Sequence, residues 1–223
     1  MPKQKVVVLV SGGIDSPVAA MLLARKYEII PLHFCHYPFY CKGSFERMIK
    51  IMKALKQKTG YKQLLIFPWA PVLKAVLEKG YRDYMCVVCR SAMFRAAGEI
   101  AKKEGAIAIA TGEALAQKAS QTLANMVVTG MATDVPLFKP LLGMDKQEIE
   151  DLSKKFGLWT TEHVGCCSAT PEKPKTKAKA DVLAEQWKRL GIDDIIKEGM
   201  SKMMRLTDLD NASILDFLKQ AEK

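Results

Sequence analysis

The segment Ser11-Gly12-Gly13-Ile14-Asp15-Ser16 combines residue types that suit an anion. Its glycines permit unusual backbone angles and close approach of a phosphate. A helix start directly behind them offers unpaired N–H groups and the positive end of a dipole. The hydroxyls of Ser11 and Ser16 add donors. Asp15 is out of place in a pure anion site, but it fits one where Mg2+ sits beside the phosphates. No lysine follows the glycines, so this is not a Walker A loop. The competing reading is an ordinary glycine turn with Asp15 as helix cap.

A second polar group follows a short apolar run: Thr111-Gly-Glu-Ala-Leu-Ala-Gln-Lys-Ala-Ser-Gln-Thr-Leu-Ala-Asn125. A cluster of Glu, Gln, Lys, Ser, Thr and Asn at the end of a strand suits a ligand, since α/β sheets bind ligands there. A solvated helix start is the bland alternative. The third candidate is Cys86-Val-Val-Cys89, whose two-residue gap lets both sulfurs face one metal. Adjacent cysteines rarely both ligate one centre, so one of Cys166 and Cys167 is the expected third ligand. Cys35 and Cys41 flank an aromatic loop, His36 to Tyr40, and read as core or loop thiols. His33 ends the second strand, where it either neighbours an adenine or is simply packed.

These residues need a scaffold. Val6 to Val10 is a continuous apolar run that reads as a buried parallel strand. Asp15 to Lys26 reads as a helix with Pro17 in its first turn. Strands follow at Glu28–Phe34, Leu64–Phe67 and Ala106–Ala110, with a less distinct one around Val127–Val135. Helices read at Phe45–Thr59, Pro71–Lys79 and Ala92–Glu104, and at Asp145–Phe156 with a capping box from Asp145 and Glu148. Strands alternating with helices imply a parallel α/β sheet. Thr170–Lys179 is rich in Pro and Lys and reads as extended; residues 180–223 read as two or three short helices. The expected organisation is a domain over 1–179 and a C-terminal helical extension over 180–223.

The chain has 223 residues, a formal net charge of +10 and six cysteines. Its 49% hydrophobic and 26% charged residues are ordinary for a globular protein. No apolar run reaches the roughly 18–20 residues needed to span a bilayer. No signal peptide is recognisable, so a cytoplasmic location with reduced thiols is expected. The basic balance suits a polyanion. Seven basic residues lie between Lys42 and Lys62 against one acid, Glu46, and four lysines lie in 173–179. For each, a solvated face or mobile loop is nearly as good a reading.

The first hexapeptide resembles the PP-loop of ATP pyrophosphatases, which implies an adenine nucleotide alpha hydrolase-like sheet. Residues 11–19 and 111–125 together look like the catalytic domain of the tRNA 4-thiouridine synthetase (ThiI) family. Pro140–Ile149, Cys166-Cys167 and Pro174–Ala178 agree, so the resemblance covers roughly residues 5–180. It implies that ATP and Mg2+ activate O4 of a tRNA uridine by adenylation, and that a sulfur nucleophile then displaces AMP. Ser11, Gly12, Gly13, Asp15 and Ser16 would take the phosphates and Mg2+. Gly112, Glu113, Gln117 and Lys118 would border ATP or the reacting base, with Asp15, Gln117, Lys118 and Cys167 as catalytic candidates.

Cys167 matches the family's sulfur-handling position. With Cys86 and Cys89 it makes three thiolates, which suit a [4Fe–4S] cluster with one open iron, as in archaeal-type members. Zn2+ completed by His163 or Cys166, a Cys167 persulfide resolved by Cys86 or Cys89, and inert buried thiols are the other readings. Family members usually carry an N-terminal THUMP region, and some a rhodanese domain. Here the PP-loop starts ten residues in, so a separate THUMP-type RNA-binding protein, and inorganic sulfide or a cysteine desulfurase, are expected partners beside tRNA. A homodimer is compatible with the sequence. A PP-loop enzyme acting on another RNA or small acceptor, and a zinc-stabilised binding module without turnover, are the alternative functions.

Overall fold

The computed structural model describes residues 2–40, 42–160, 167–210, 212–215 and 217. Its centre is a six-stranded sheet of order β5-β4-β1-β2-β3-β6. The strands are β1 Lys5–Leu9, β2 Glu28–Cys35, β3 Leu64–Pro68, β4 Ala106–Ala110, β5 Leu137–Phe138 and β6 Met204–Leu206. β1 to β5 are mutually parallel; β6 pairs antiparallel with β3. The helices are α1 Asp15–Ala24, α2 Lys42–Thr59, α3 Ala70–Lys79, α4 Met85–Glu104, α5 Leu123–Gly130, α6 Lys146–Lys155, α7 Ala180–Leu190 and α8 Ile192–Ser201.

Strand alternation sorts β1 between two cores. Val7 and Leu9 face a layer with α3, α4, α7 and α8, while Val6, Val8 and Val10 face one with α1, α2 and α6. Both faces are covered, which is why these strands are apolar throughout. The chain leaves β1 on one side through β2 and β3, then crosses back along α4 to β4 on the other side. Strand order therefore reverses at β1 and β4, and their carboxyl ends flank the crevice where such sheets hold ligands.

Three elements differ from the sequence expectation. The segment around Val127–Val135 is helix α5 followed by a turn, and the fifth strand comes later, at Leu137–Phe138. Thr122 caps α5 by accepting the Asn125 N–H, and this local cap, with Asn125 tied to Lys175 and Ala178, overrides the β preference of Val127 and Val128. Helix α4 starts at Met85, so Cys86 and Cys89 lie within its first turns rather than before it. Residues 204–206 add a strand where only helices were expected. The capping box at Asp145 and Glu148 is formed as expected. Among the described residues no helix is long and apolar enough to cross a membrane.

Candidate active site

The turn after β1 is held by its own serines. The Ser11 N–H donates to Ser16 Oγ at 2.8 Å, the two hydroxyls lie 3.1 Å apart, and the Gly13 N–H donates to Ser11 Oγ at 3.3 Å. Asp15 opens α1, and Lys146 at the start of α6 sits 2.8 Å from its Oδ1. Gly112, at the end of β4, packs directly on this turn. A Cβ there would fall 2.6 Å from Ser16 N and 2.7 Å from the Asp15 carbonyl carbon, so only glycine fits. The two sequence signatures are thus in backbone contact.

Glu113, the next residue, is 1% exposed. Its Oε2 lies 3.1 Å from Lys139 Nζ and accepts the Thr111 hydroxyl at 3.2 Å. Arg90 Nε is 3.2 Å from Oε1, a charge contact not aligned as a hydrogen bond. Glu113 therefore joins the β4 loop to α4, since Arg90 follows Cys89 directly. Its carboxylate faces these two cations.

On α4, Cys89 Sγ accepts the Trp69 indole N–H at 3.1 Å. Burial pushes the Cys89 thiol up to about 12, against the opposing pull of the Trp69 hydrogen bond. Cys167 follows the undescribed stretch 161–166, and its turn is docked on the aromatic loop. The Ser168 N–H donates to Phe39 O at 2.9 Å, and Cys167 Sγ lies 3.7 Å from Thr170 Oγ1. His33 Nδ1 donates to Val10 O at 3.0 Å, tying β2 to the start of the phosphate turn. Burial lowers His33 to about 4, so the ring is neutral near pH 7. Burial also lowers His36, to about 3.

These groups surround one cavity of about 320 Å3. The phosphate turn, with Ser11, Gly12, Gly13, Asp15 and Ser16, forms one part of its wall. His33, Gly112, Glu113 and Lys118 also line it, as do Cys86, Cys89 and Cys167. Gln117 is not among the lining residues. Cys35 lies outside it, buried against the Tyr40 hydroxyl at 3.2 Å, and its thiol is raised by burial. Cys41, His163 and Cys166 fall outside the described residues. Among the described residues, no three His, Cys, Asp or Glu side chains converge at metal-ligand spacing.

Lys139 and Trp69 carry no sequence signal of their own, and like Lys146 they act through long-range contacts that need the strand order. Asn125 is fully buried: its Nδ2 donates to Ala119 O and to Lys175 O, each at 2.7 Å, and its Oδ1 accepts the Ala178 N–H at 2.8 Å. The Pro/Lys-rich segment, which bends at 172–173 and 176–177, is therefore strapped to the 111–125 loop. Among the basic residues of 42–62, Lys53 pairs with Asp210, Lys62 with Glu28, and Lys56 reaches Thr207 O.

Residues 2–192 match the family model described as thiamine biosynthesis protein (ThiI). A Methanosarcina mazei protein named "probable tRNA sulfurtransferase" is 37% identical over 209 residues, covering 91% of this chain and 52% of that protein. One of the same name from Acetivibrio thermocellus is 36% identical over 208 residues, covering 91% and 53%. The chain thus spans about half the length of these curated relatives. A crystal structure of a 4-thiouridine synthetase–RNA complex with bound ATP superposes with a TM-score of 0.84 at 30% identity, over 91% of this chain and 55% of that one.

Proposed function

The chain belongs to the ThiI family, and from that premise we propose that it is an ATP-dependent tRNA sulfurtransferase that makes 4-thiouridine in the cytoplasm. The observation that carries this reading is that the phosphate turn and three cysteines open onto one cavity. The names of the relatives and the ATP and RNA of the structural neighbour support it.

In this reading O4 of the uridine attacks the α-phosphorus of ATP while N3 gives its proton to water, and pyrophosphate leaves. Hydrosulfide then adds to C4, AMP departs with O4, and the proton that came in on sulfur moves to N3. N–H groups of the glycine turn, the hydroxyls of Ser11 and Ser16, and the Lys146 ammonium stabilise charge on the phosphates. Of the two carboxylates lining the cavity, Glu113 is buried between Arg90 and Lys139, whereas Asp15 meets only Lys146 among the described residues and is more exposed; Asp15 is the proposed Mg2+ ligand. Lys118, exposed on the cavity wall, is the proposed contact to incoming RNA.

Three thiols lining one cavity fit a [4Fe–4S] cluster in donor type and number, with Cys86, Cys89 and Cys167 as its ligands. Cys167 would have to close on the first turns of α4 to complete that set. The chemistry such a group supplies when bound is an open iron able to hold sulfide. Hydrosulfide is the proposed sulfur source, either free or released by a thiol reductant from the persulfide of a cysteine desulfurase. On α2, Lys53 is engaged with Asp210, and a THUMP-type region is the proposed main tRNA grip. A homodimer is the proposed assembly, supported by the exposed apolar row Leu123, Val127 and Met131 on and just after α5.

The test is release of pyrophosphate from ATP with tRNA present, followed by 4-thiouridine when sulfide is added. Asp15→Asn should abolish both. Pyrophosphate release that ignores tRNA and yields no thiolated nucleoside would overturn the reading.

A further inference from the structure

We propose that Gln121 reads the reacting pyrimidine: its side-chain oxygen accepts the N3–H of the uracil ring. This rests on the reading of the chain as a uridine sulfurtransferase.

Gln121 lines the cavity and is 6% exposed, and its Oε1 is buried without a hydrogen-bond partner among the described residues. Buried amide oxygens are almost always paired, so an unmet acceptor on a cavity wall marks the place of a donor on a ligand. The backbone that carries it is fixed from several sides. Its N–H donates to Lys118 O at 2.8 Å, and its carbonyl accepts the Ala116 N–H at 2.9 Å. Asn125 holds Ala119 O at 2.7 Å, within the same short 3-10 turn, Ala119–Gln121. Ala116 sits at φ +61°, a left-handed conformation unusual for a residue with a side chain. The loop is thus held in a particular shape that aims Gln121.

The position suits the acceptor base better than the adenine. The turn packs against α4, the helix that bears Cys86, Cys89 and Arg90. The carbon that exchanges oxygen for sulfur must lie between the phosphate turn and the thiols. In uracil that carbon, C4, adjoins N3, so a group that holds N3–H also sets C4 and leaves O4 clear for attack on ATP. Cytosine carries a lone pair at N3 and would oppose the oxygen. A site that pairs with one donor rejects bases lacking it, because its own buried acceptor is then left unmet.

The experiment measures pyrophosphate release by the full chain with tRNA transcripts carrying uridine or 3-deazauridine at the reacting position; the deaza base keeps O4 and replaces N3–H by C–H. Wild-type protein is compared with Gln121→Met, which keeps the side-chain length. Wild type should lose at least about tenfold in kcat/KM on the deaza transcript, and Gln121→Met should lose about tenfold on uridine. The deaza penalty should shrink in the variant, and its ATP affinity should stay within about twofold of wild type.

If Gln121→Met weakens ATP binding instead, the oxygen serves the adenine and the proposal fails. If wild type uses both transcripts equally, nothing reads N3 and the proposal also fails. If wild type is active and Gln121→Met matches it, Gln121 alone is misassigned. Absence of tRNA-dependent release with either transcript would defeat the sulfurtransferase reading, and this proposal with it.

Discussion

Replacing Glu113 by Gln should damage the fold more than any surface change, because Glu113 neutralises two cations from different elements. The glutamine keeps the shape and a hydrogen bond from Thr111 but removes the charge that faces Arg90 and Lys139. Breaking a buried pair on one side costs about 3–5 kcal/mol, because the remaining charge is left uncompensated. Arg90 and Lys139 keep 23% and 13% of their side-chain surface exposed, so water relieves part of this. A loss of about 2–4 kcal/mol is expected. For a chain of this length that lowers the unfolding midpoint by roughly 5–15 °C. Thermal and urea unfolding of wild type, Glu113→Gln and the double variant Glu113→Gln with Lys139→Met would measure it. The double variant should recover part of the loss, since it removes one of the two orphaned cations. A midpoint for Glu113→Gln within about 2 °C of wild type, or a double variant worse than additive, would refute the reasoning.

Further outcomes follow from the same contacts. Gly112→Ala should weaken ATP binding roughly tenfold or more, because its methyl meets the backbone of the phosphate turn; unchanged affinity in a nucleotide titration would contradict that. Asn125→Ala should cost about 2–3 kcal/mol and expose the Lys173–Lys179 strap to trypsin, read by the cleavage rate after those lysines. His33 has a lowered value of about 4 against the ordinary 6.5, so the unfolded chain binds its proton first. Its contribution is therefore complete above about pH 6.5 and lost as pH falls toward about 4, on the order of 3 kcal/mol in all. Urea unfolding across that range should show a shallower acid loss for His33→Gln than for wild type.

Much of the scaffold is legible because β1, β2, β3 and β4 are apolar runs bounded by clear turns, and α6 carries a complete capping box. The phosphate turn and the 111–125 passage stand out because their glycines and polar side chains interrupt those runs. α5 is misread because Val127 and Val128 favour strands and outweigh the local Thr122 cap, while the buried Asn125 is fixed by tertiary contacts. The start of α4 is hidden for a related reason: its capping residue, Tyr84, makes no side-chain capping hydrogen bond, and a 3-10 turn leads into it. The pairs Lys146 with Asp15, Lys139 with Glu113 and Trp69 with Cys89 depend on strand order, which the pattern of residues does not contain. The cysteines could be grouped by spacing, but their shared cavity emerges only when α4 crosses over β1.

The central claim is that this chain puts sulfur into tRNA uridine. Nucleoside analysis of tRNA from a strain lacking this gene tests it most directly. The account predicts that 4-thiouridine disappears and returns with the wild-type gene but not with Asp15→Asn. Unchanged 4-thiouridine in the deletion strain would contradict it.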